Sequence, residues 1–313
     1  PVREGLLYLG TENKLYVSFN DGSNWQELMS NLPHTPMYWI DIQEHFNDLV
    51  IGTYGRGIWI LDDISPLQQL NQDVTKKSAY LFDLKSSYRF QNVTSTLQMF
   101  PEASSGQDPP KGASINYWLN EDKDVELFIT NSNNDTVRTI ADKGKKGINR
   151  VWWDFMGEKS DPMIMRTKPQ YAEWFSIGDE RIRNIPSNIS IMQPPGTYQV
   201  HLESDGTTYS KELIVVKDPH SEGTIEDIKL QNDLMNKIYN DLNTTAMYVN
   251  SIESIRRQLI DLKSALSGNG KDDNLISEVD NLESKFLHIE KKLLQLKTTG
   301  KGQDVVLSLI HIS

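Results

Sequence analysis

Asp62 and Asp63 close the apolar run Ile58 to Leu61, and a pair of carboxylates is what acid/base hydrolysis of a glycosidic bond needs. Adjacent strand residues point to opposite faces, so these two cannot serve one sugar. The expected outcome is a turn-capping Asp63 and a solvated Asp62. Arg56, between Gly55 and Gly57, sets a cation on a turn where it can grip an anion or brace its neighbours. Trp118, Trp152 and Trp153 offer rings that could stack on a ligand. Trp152 and Trp153 are adjacent, so one faces a core and the other faces out. His34, His45, His201, His220 and His288 show no metal-ligand spacing. No G-x-S-x-G elbow occurs, and Ser104-Ser105-Gly106 lies in a proline-rich loop. The sequence therefore predicts no catalytic residue, no metal site and no cofactor.

The elements that position these residues begin with Tyr16 to Trp25, YVSFNDGSNW. Asn20 follows a strand and can fold its side chain back onto the N–H groups of the next turn, while Gly22 permits positive φ. Trp25 can then return over the turn and bury its ring. Leu7, Leu9, Leu15 and Val17 supply strands before it. Trp39, Ile40, Ile42, Leu49, Val50 and Ile51 supply the next pair, and Gly52, Gly55 and Gly57 lead into Ile58 to Leu61. Short strands with turn signals about every ten residues read as all-β.

With 313 residues the chain can hold two or three domains. A net charge of -11 with no basic stripe argues against nucleic acid or an anionic membrane surface as partner. No cysteine is present, which removes disulfides, thiolate metal sites and a cysteine nucleophile. No window has the eighteen or so apolar residues that would span a bilayer.

Ile64 to Leu70, with Pro66, reads as a linker out of the first region. From Ala79 a second all-β region begins, with strands at 79–84, 113–119, 125–130, 136–140, 149–155, 196–204 and 209–216. Residues 92–112 form a loop, and Asp205-Gly206 makes a two-residue hairpin turn. Between the halves, 158–192 looks like an insertion, with Tyr171, Trp174 and Phe175 on a short helix. Beyond Pro219 the period becomes helical. Thr224 caps a long helix, and a second carries Leu275, Val279, Leu282, Phe286, Ile289, Leu293 and Leu296 at four-three spacing, a heptad seam. A short turn makes the two an antiparallel hairpin. The resulting domains are 1–70, 71–219, 220–300 and a tail, 301–313, whose apolar end resembles translated adapter read-through.

Ser18, Asn20, Gly22 and Trp25 match the Asp-box, S-x-D-x-G-x-T-W, with Asn at its Asp and Thr positions. GLLYLGTENKLYVSFNDGSNWQELMSNLP with GTYGRGIWILDDISPLQQL resembles the last blades of bacterial sortilin-type, BNR-repeat β-propeller proteins, often labelled glycosyl-hydrolase-like. GINRVWWDF with PPGTYQVHLESDGTTYSKELIVVKDP resembles the Ig-like modules that follow such propellers, and also those of flagellar hook-capping proteins. The resemblance implies terminal propeller blades, an Ig-like β-sandwich and a helical hairpin, mainly β overall, in an exported protein most of whose propeller lies N-terminal to these residues. It implies a non-catalytic binding or scaffold role toward a protein, peptide or glycan. The alternative is a sialidase-like glycoside hydrolase whose active site lies on blades outside this sequence. True sialidases bind the substrate carboxylate with three arginines and use a tyrosine nucleophile, and Arg56 alone does not supply that set.

Overall fold

The structure is a computed structural model that describes residues 3–90, 109–168, 181–182, 188–268 and 273–294. The parts of the 92–112 loop at 92–108, the short helix of Tyr171, Trp174 and Phe175, Leu296 and the tail lie outside the described residues. The chain is mainly β with a C-terminal helical hairpin. It forms two compact units, Pro1–Met156 with Gln193–Ile225, and Gly157–Met192 with Glu226–Ser313. The 157–192 stretch thus folds with the helices.

The first unit opens with two antiparallel three-stranded sheets. One holds β1 (Leu7–Gly10), β2 (Leu15–Ser18) and β3 (Gln26–Glu27); the other holds β4 (Met37–Gln43), β5 (Asp48–Thr53) and β6 (Ile58–Leu61). Cross-strand partners share a face. Tyr8 sits opposite Val17 and Gly10 opposite Leu15, while Leu49 pairs with Leu61 and Ile51 with Trp59. These faces meet in one core, where Leu15, Met37, Leu49, Ile51 and Ile64 are buried with Tyr8, Trp59 and Leu61 packed around them. Gly10 permits the close approach: a Cβ there would lie 2.7 Å from the Met37 carbonyl oxygen. The outer faces are apolar too. Leu7 and Leu9 are exposed on one; on the other, Trp39, Gly52 and Ile58 form one cross-strand row and Asp41, Val50 and Ile60 the next.

Next come α1 (Ser65–Gln69), α2 (Gln72–Thr75), β7 (Ala79–Leu81), β8 (Ser87–Arg89), β9 (Ala113–Leu119), β10 (Lys123–Thr130), β11 (Thr136–Gly144) and β12 (Gly147–Trp153). β13 (Ile164–Met165) and β14 (Arg181–Ile182) pair in the second unit; the chain returns to the first with β15 (Gly196–Ser204) and β16 (Thr207–Lys217). One sheet runs β12-β9-β7 and the other β11-β10-β15-β16-β8. They face each other, with Trp153 set edge-on to Tyr198 at 5.1 Å between ring centroids. Asp205 and Gly206 both have positive φ, 51° and 72°, as a type I′ hairpin turn requires. β8 lies outside the strands that the sequence predicts. It is three residues long and gains its place by pairing in parallel with β16.

Asp63 ties the two halves of this unit together. It is buried and left-handed, φ 51°. One carboxylate oxygen accepts from Ser65 N and Oγ, at 3.2 and 2.5 Å; the other accepts from Ser114 Oγ at 2.8 Å and Asn116 Nδ2 at 3.0 Å. Arg150 donates to the Asp62 and Asp63 carbonyls, both at 2.7 Å, and to Asn116 Oδ1 at 2.7 Å. Asp62 is half-buried instead of solvated, and burial, with Asp48 nearby, pushes its carboxyl up.

The second unit is built on α3 (Ile225–Gly268), 44 residues, and α4 (Asp273–Leu293), 21 residues. Residues 161–167 lie along α3, whose Asn243 accepts from Asp161 N at 2.7 Å and whose Asn250 accepts from Ile164 N at 2.7 Å and donates to Pro162 O at 3.0 Å. Met163, Met165, Ala246, Val249 and Leu294 form the core. The heptad seam expected on α4 is only half inside. Val279 is buried, yet Leu275, Leu282 and Ile289 are exposed, and Glu290 takes an inner place.

Asp63→Ala removes an acceptor from four donors of Ser65, Ser114 and Asn116 at once and is expected to destabilise the first unit by about 2–4 kcal/mol. Asp63→Asn keeps a side chain tolerant of the left-handed backbone and is expected to cost about half as much. Chemical denaturation followed by tryptophan fluorescence measures both.

Candidate binding surface and a buried carboxyl cluster

The Ser18–Trp25 turn is rigid for local reasons. Ser18 Oγ accepts from Gly22 N at 2.9 Å and donates to Asn20 Oδ1 at 3.1 Å, and Asn20 Oδ1 accepts from Asn24 N at 2.9 Å. Asp21 and Gly22 are left-handed, φ 55° and 83°, and the Trp25 ring lies over Gly22, within 3.5 Å of where a Cβ would stand. With Asn at the acceptor position the capping hydrogen bonds are neutral.

Arg56 sits at the tip of the β5–β6 hairpin, between Gly55 and Gly57 at φ 71° and 76°. The turn is fixed by Thr53 N and Oγ1 donating to Gly57 O at 3.1 and 2.7 Å, and by Trp59 Nε1 donating to Arg56 O at 2.9 Å. The Arg56 side chain is exposed. Beside it, Tyr38 and Tyr54 meet at 5.6 Å between centroids, and Thr35 Oγ1 holds the Tyr54 carbonyl at 2.8 Å. Tyr38 is the extra residue of a β-bulge. Trp39 and Ile58 complete this surface, 70% and 74% exposed. An arginine, two tyrosines and an apolar sheet face can bind by stacking and cation contact. They hold no nucleophile or acid/base pair.

The three other aromatic candidates are scattered. Trp153 is wholly buried, donates to Met156 O at 3.0 Å and packs edge-on against Phe155, so it has no surface to offer a ligand. Trp152 and Trp118 are half-buried on the opposite face of their sheet, Trp152 with the Arg150 guanidinium 6.0 Å from its ring. Neither approaches Arg56 in any aromatic or cation–ring pair found among the described residues.

Two groupings have no signal in sequence spacing. Strand pairing puts His201 between Ser210 and Thr130: Nδ1 lies 2.7 Å from Ser210 Oγ and Nε2 3.1 Å from Thr130 Oγ1, and the ring stacks on Phe128. Burial lowers its pKa. The grouping lacks a carboxylate to orient the imidazole as a general base. The other grouping is inside the second unit. Glu253 and Glu290 are wholly buried, and Arg256 Nη1 donates to Thr167 Oγ1 at 3.0 Å, Glu253 at 3.0 Å and Glu290 at 2.5 Å. Glu283 accepts from Arg256 Nε at 2.9 Å. Glu253 also accepts from Arg166 N, Thr167 N at 2.7 Å and Thr167 Oγ1 at 2.6 Å.

One arginine cannot balance three carboxylates. Burial first, then the Glu253 carboxylate, pushes Glu290 up to about 8, with Arg256 pulling the other way. Burial alone would raise Glu253 too, but the donors from Thr167, Glu290 and Arg166 N hold it below the ordinary glutamate value. Glu290 Oε2 accepts from Arg256, while its Oε1 is buried without a hydrogen-bond partner. Glu290 and Glu253 thus divide into a protonated and an ionised member. Both are sealed from substrate.

Among the described residues no group of three or more His, Asp and Glu side chains could hold a metal ion, and no helix is long and apolar enough to cross a membrane. No protein-family model matches the chain, and no curated protein matches it. Among solved structures it is similar to one described as "Biofilm associated protein - BSP domain", at 7% identity and a TM-score of 0.22, covering 68% of this chain and 30% of that one. The chain thus spans under a third of that structure's length.

Arg56→Ala is expected to leave stability within about 0.5 kcal/mol, while Trp153→Ala costs about 3–5 kcal/mol. Thermal denaturation of the two variants separates the surface candidate from the core one. The stability that Glu290 gives by holding its proton is complete below 4.5 and is lost as pH rises through about 8. The contribution of Glu253 runs the other way, present above 4.5 and lost as pH falls. Helical melting followed by circular dichroism is expected to move to lower temperature as pH rises from about 4.5 to about 8, and Glu290→Gln to flatten that dependence.

Proposed function

We propose that this chain is a non-catalytic binding or scaffold part of a larger exported protein, built from the closing blades of a sortilin-type, BNR-repeat β-propeller, an Ig-like sandwich and the helical hairpin. The observation that carries this reading is the pair of stacked sheets with apolar residues on both outer faces, Leu7 and Leu9 on one side and Trp39, Ile58 and Ile60 on the other. A sheet that ends a domain turns a polar face to water. Sheets in a radial array need a neighbour on each side. The Ser18–Trp25 turn supports the same reading through the Oγ and Oδ1 acceptors of Ser18 and Asn20. The Ig-like reading draws support from Tyr198, whose hydroxyl donates to Pro194 O at 2.6 Å, four residues upstream, as a tyrosine corner does. The ligand-facing part is the 53–57 turn with Tyr38, Tyr54 and Arg56, and the ligand is a protein, peptide or glycan.

Oxidative footprinting tests the carrying observation. In the protein isolated from its source, Trp39 is expected to be protected, whereas in this chain alone it is oxidised readily. Equal oxidation in both rules out flanking blades. The chain alone is expected to hydrolyse neither aryl glycosides nor peptides. Turnover abolished by a point substitution would favour the glycoside hydrolase alternative.

A further inference from the structure

We propose that the second unit carries a peptide site: a groove between residues 161–166 and α3 that takes a short free peptide in extended form, its amino end at Asp161 and its carboxylate at Arg166. The groove has a volume of about 690 Å3, with Asp161, Ile164 and Arg166 on one wall and Met247, Ser254 and Ile255 on the other. Small-ligand sites span roughly 300–1,000 Å3, so the space is of the right order for such an occupant. All of its walls belong to one unit.

Alternation along the extended segment makes the first wall. Met163 and Met165 are buried in the core of the unit, so Ile164 and Arg166, one step out of phase, face the other way and line the groove. On α3, Ala246 and Val249 are turned into the same core, while Met247, Ser251 and Ser254 follow one another at intervals of four and three residues. That spacing sets them in one line along the helix. Both walls are fixed from behind. Asn250 accepts from Ile164 N at 2.7 Å and donates to Pro162 O at 3.0 Å, and Glu253 accepts from Arg166 N. Glu253 is itself held by Arg256 at 3.0 Å. A ligand therefore meets a site already shaped, and little ordering cost falls on the protein.

Charge and length define the occupant. Asp161 stands at one end, where its N–H meets Asn243, and Arg166 at the other, where its N–H meets Glu253. From Met247 to Ile255 the α3 wall runs about 12 Å at the helical rise. An extended chain rising about 3.3 Å per residue covers that distance with about four residues. Its alternate side chains fall on Ile164, Met247 and Ile255, of which Met247 is 54% and Ile255 37% exposed. Met247, unbranched, adapts to side chains of different shape. Ser254, half-buried, presents its hydroxyl to the ligand backbone. Opposite charges at the two ends disfavour occupants with one kind of charge. A fatty acid that meets Arg166 lays its apolar end against Asp161, and a polyamine that meets Asp161 brings a cation to Arg166. A peptide with free ends carries both signs at the matching separation.

Methyl NMR of the full chain, labelled at the methionine methyl groups, tests this with the free peptide Leu-Ala-Ala-Leu as probe. The Met247 signal is identified by its loss in Met247→Leu. The expected result is a saturable shift of that signal. Acetylation of the peptide's amino end is expected to weaken binding about threefold in the unsubstituted chain and not in Asp161→Asn, and amidation of its carboxylate to do the same in the unsubstituted chain and not in Arg166→Gln. Ser251→Trp, at an exposed position, is expected to fill the groove and abolish the shift with helicity by circular dichroism unchanged. Asp161 is exposed as well, so the comparison of Asp161→Asn with the acetylated peptide holds even where Ser251→Trp disturbs α3. No shift of Met247 at about 5 mM peptide overturns the proposal. Equal binding of the peptide blocked at both ends overturns it too, since the groove would then be an apolar patch that reads no termini. A larger shift with decanoate or with spermidine overturns the peptide class.

Discussion

A carboxylate that leaves water must be met by donors, and the first unit depends on how Asp63 is met. Its own strand can offer nothing, since β6 ends at Leu61. The donors come from Ser65, from Ser114 and Asn116 on β9, and Arg150 of β12 fixes the two carbonyls beside it. The left-handed turn at Asp63 is what aims both carboxylate oxygens at these partners. A strained backbone of that kind costs of order 1–3 kcal/mol and persists where the surroundings hold it. Here four side chains hold it, and in doing so they join the stacked sheets to the sheet that follows.

The same demand shapes the second unit, with a different result. Arg256 draws Glu253, Glu283 and Glu290 inward, and a helix that turns Glu290 inside must turn Leu282 and Ile289 away. Apolar burial near 25 cal/mol per Å2 would favour the leucines. The charged cluster prevails because removing Glu290 from Arg256 and Thr167's neighbours would leave an arginine buried beside fewer acceptors, and an uncompensated buried charge costs several kcal/mol. Retention of one proton by Glu290 lowers the charge of the cluster and makes the arrangement tolerable at neutral pH.

How far the sequence discloses these features follows from the range of the interactions. The Ser18–Trp25 turn is legible because its donors and acceptors lie within four residues of one another. So is the Asp205-Gly206 hairpin, whose backbone demands two residues at ease with positive φ. Asp63 reads as a turn residue and no more, since Asn116 and Arg150 stand 53 and 87 positions away. His201 looks isolated until β15 and β16 pair and set Ser210 opposite. The α4 heptads are visible as a period, but a period does not say which side is covered. That depended on Arg256, 34 positions from Glu290. Of the candidate site, Arg56 stands where its flanking glycines put it, while Trp153 went to the core because it faces Tyr198 across the two sheets.

The form of an exposed apolar surface constrains what can cover it. The outer face of β4 to β6 is a flat patch in which Gly52 leaves a shallow place between Trp39 and Ile58. A facing sheet packs about 10 Å away and fills such a place with its own side chains. A helix, being convex, touches a flat patch along a line and leaves water at its sides. A net charge of -11 disfavours indiscriminate association through this surface. Burial of this face therefore requires a surface whose shape repays the repulsion.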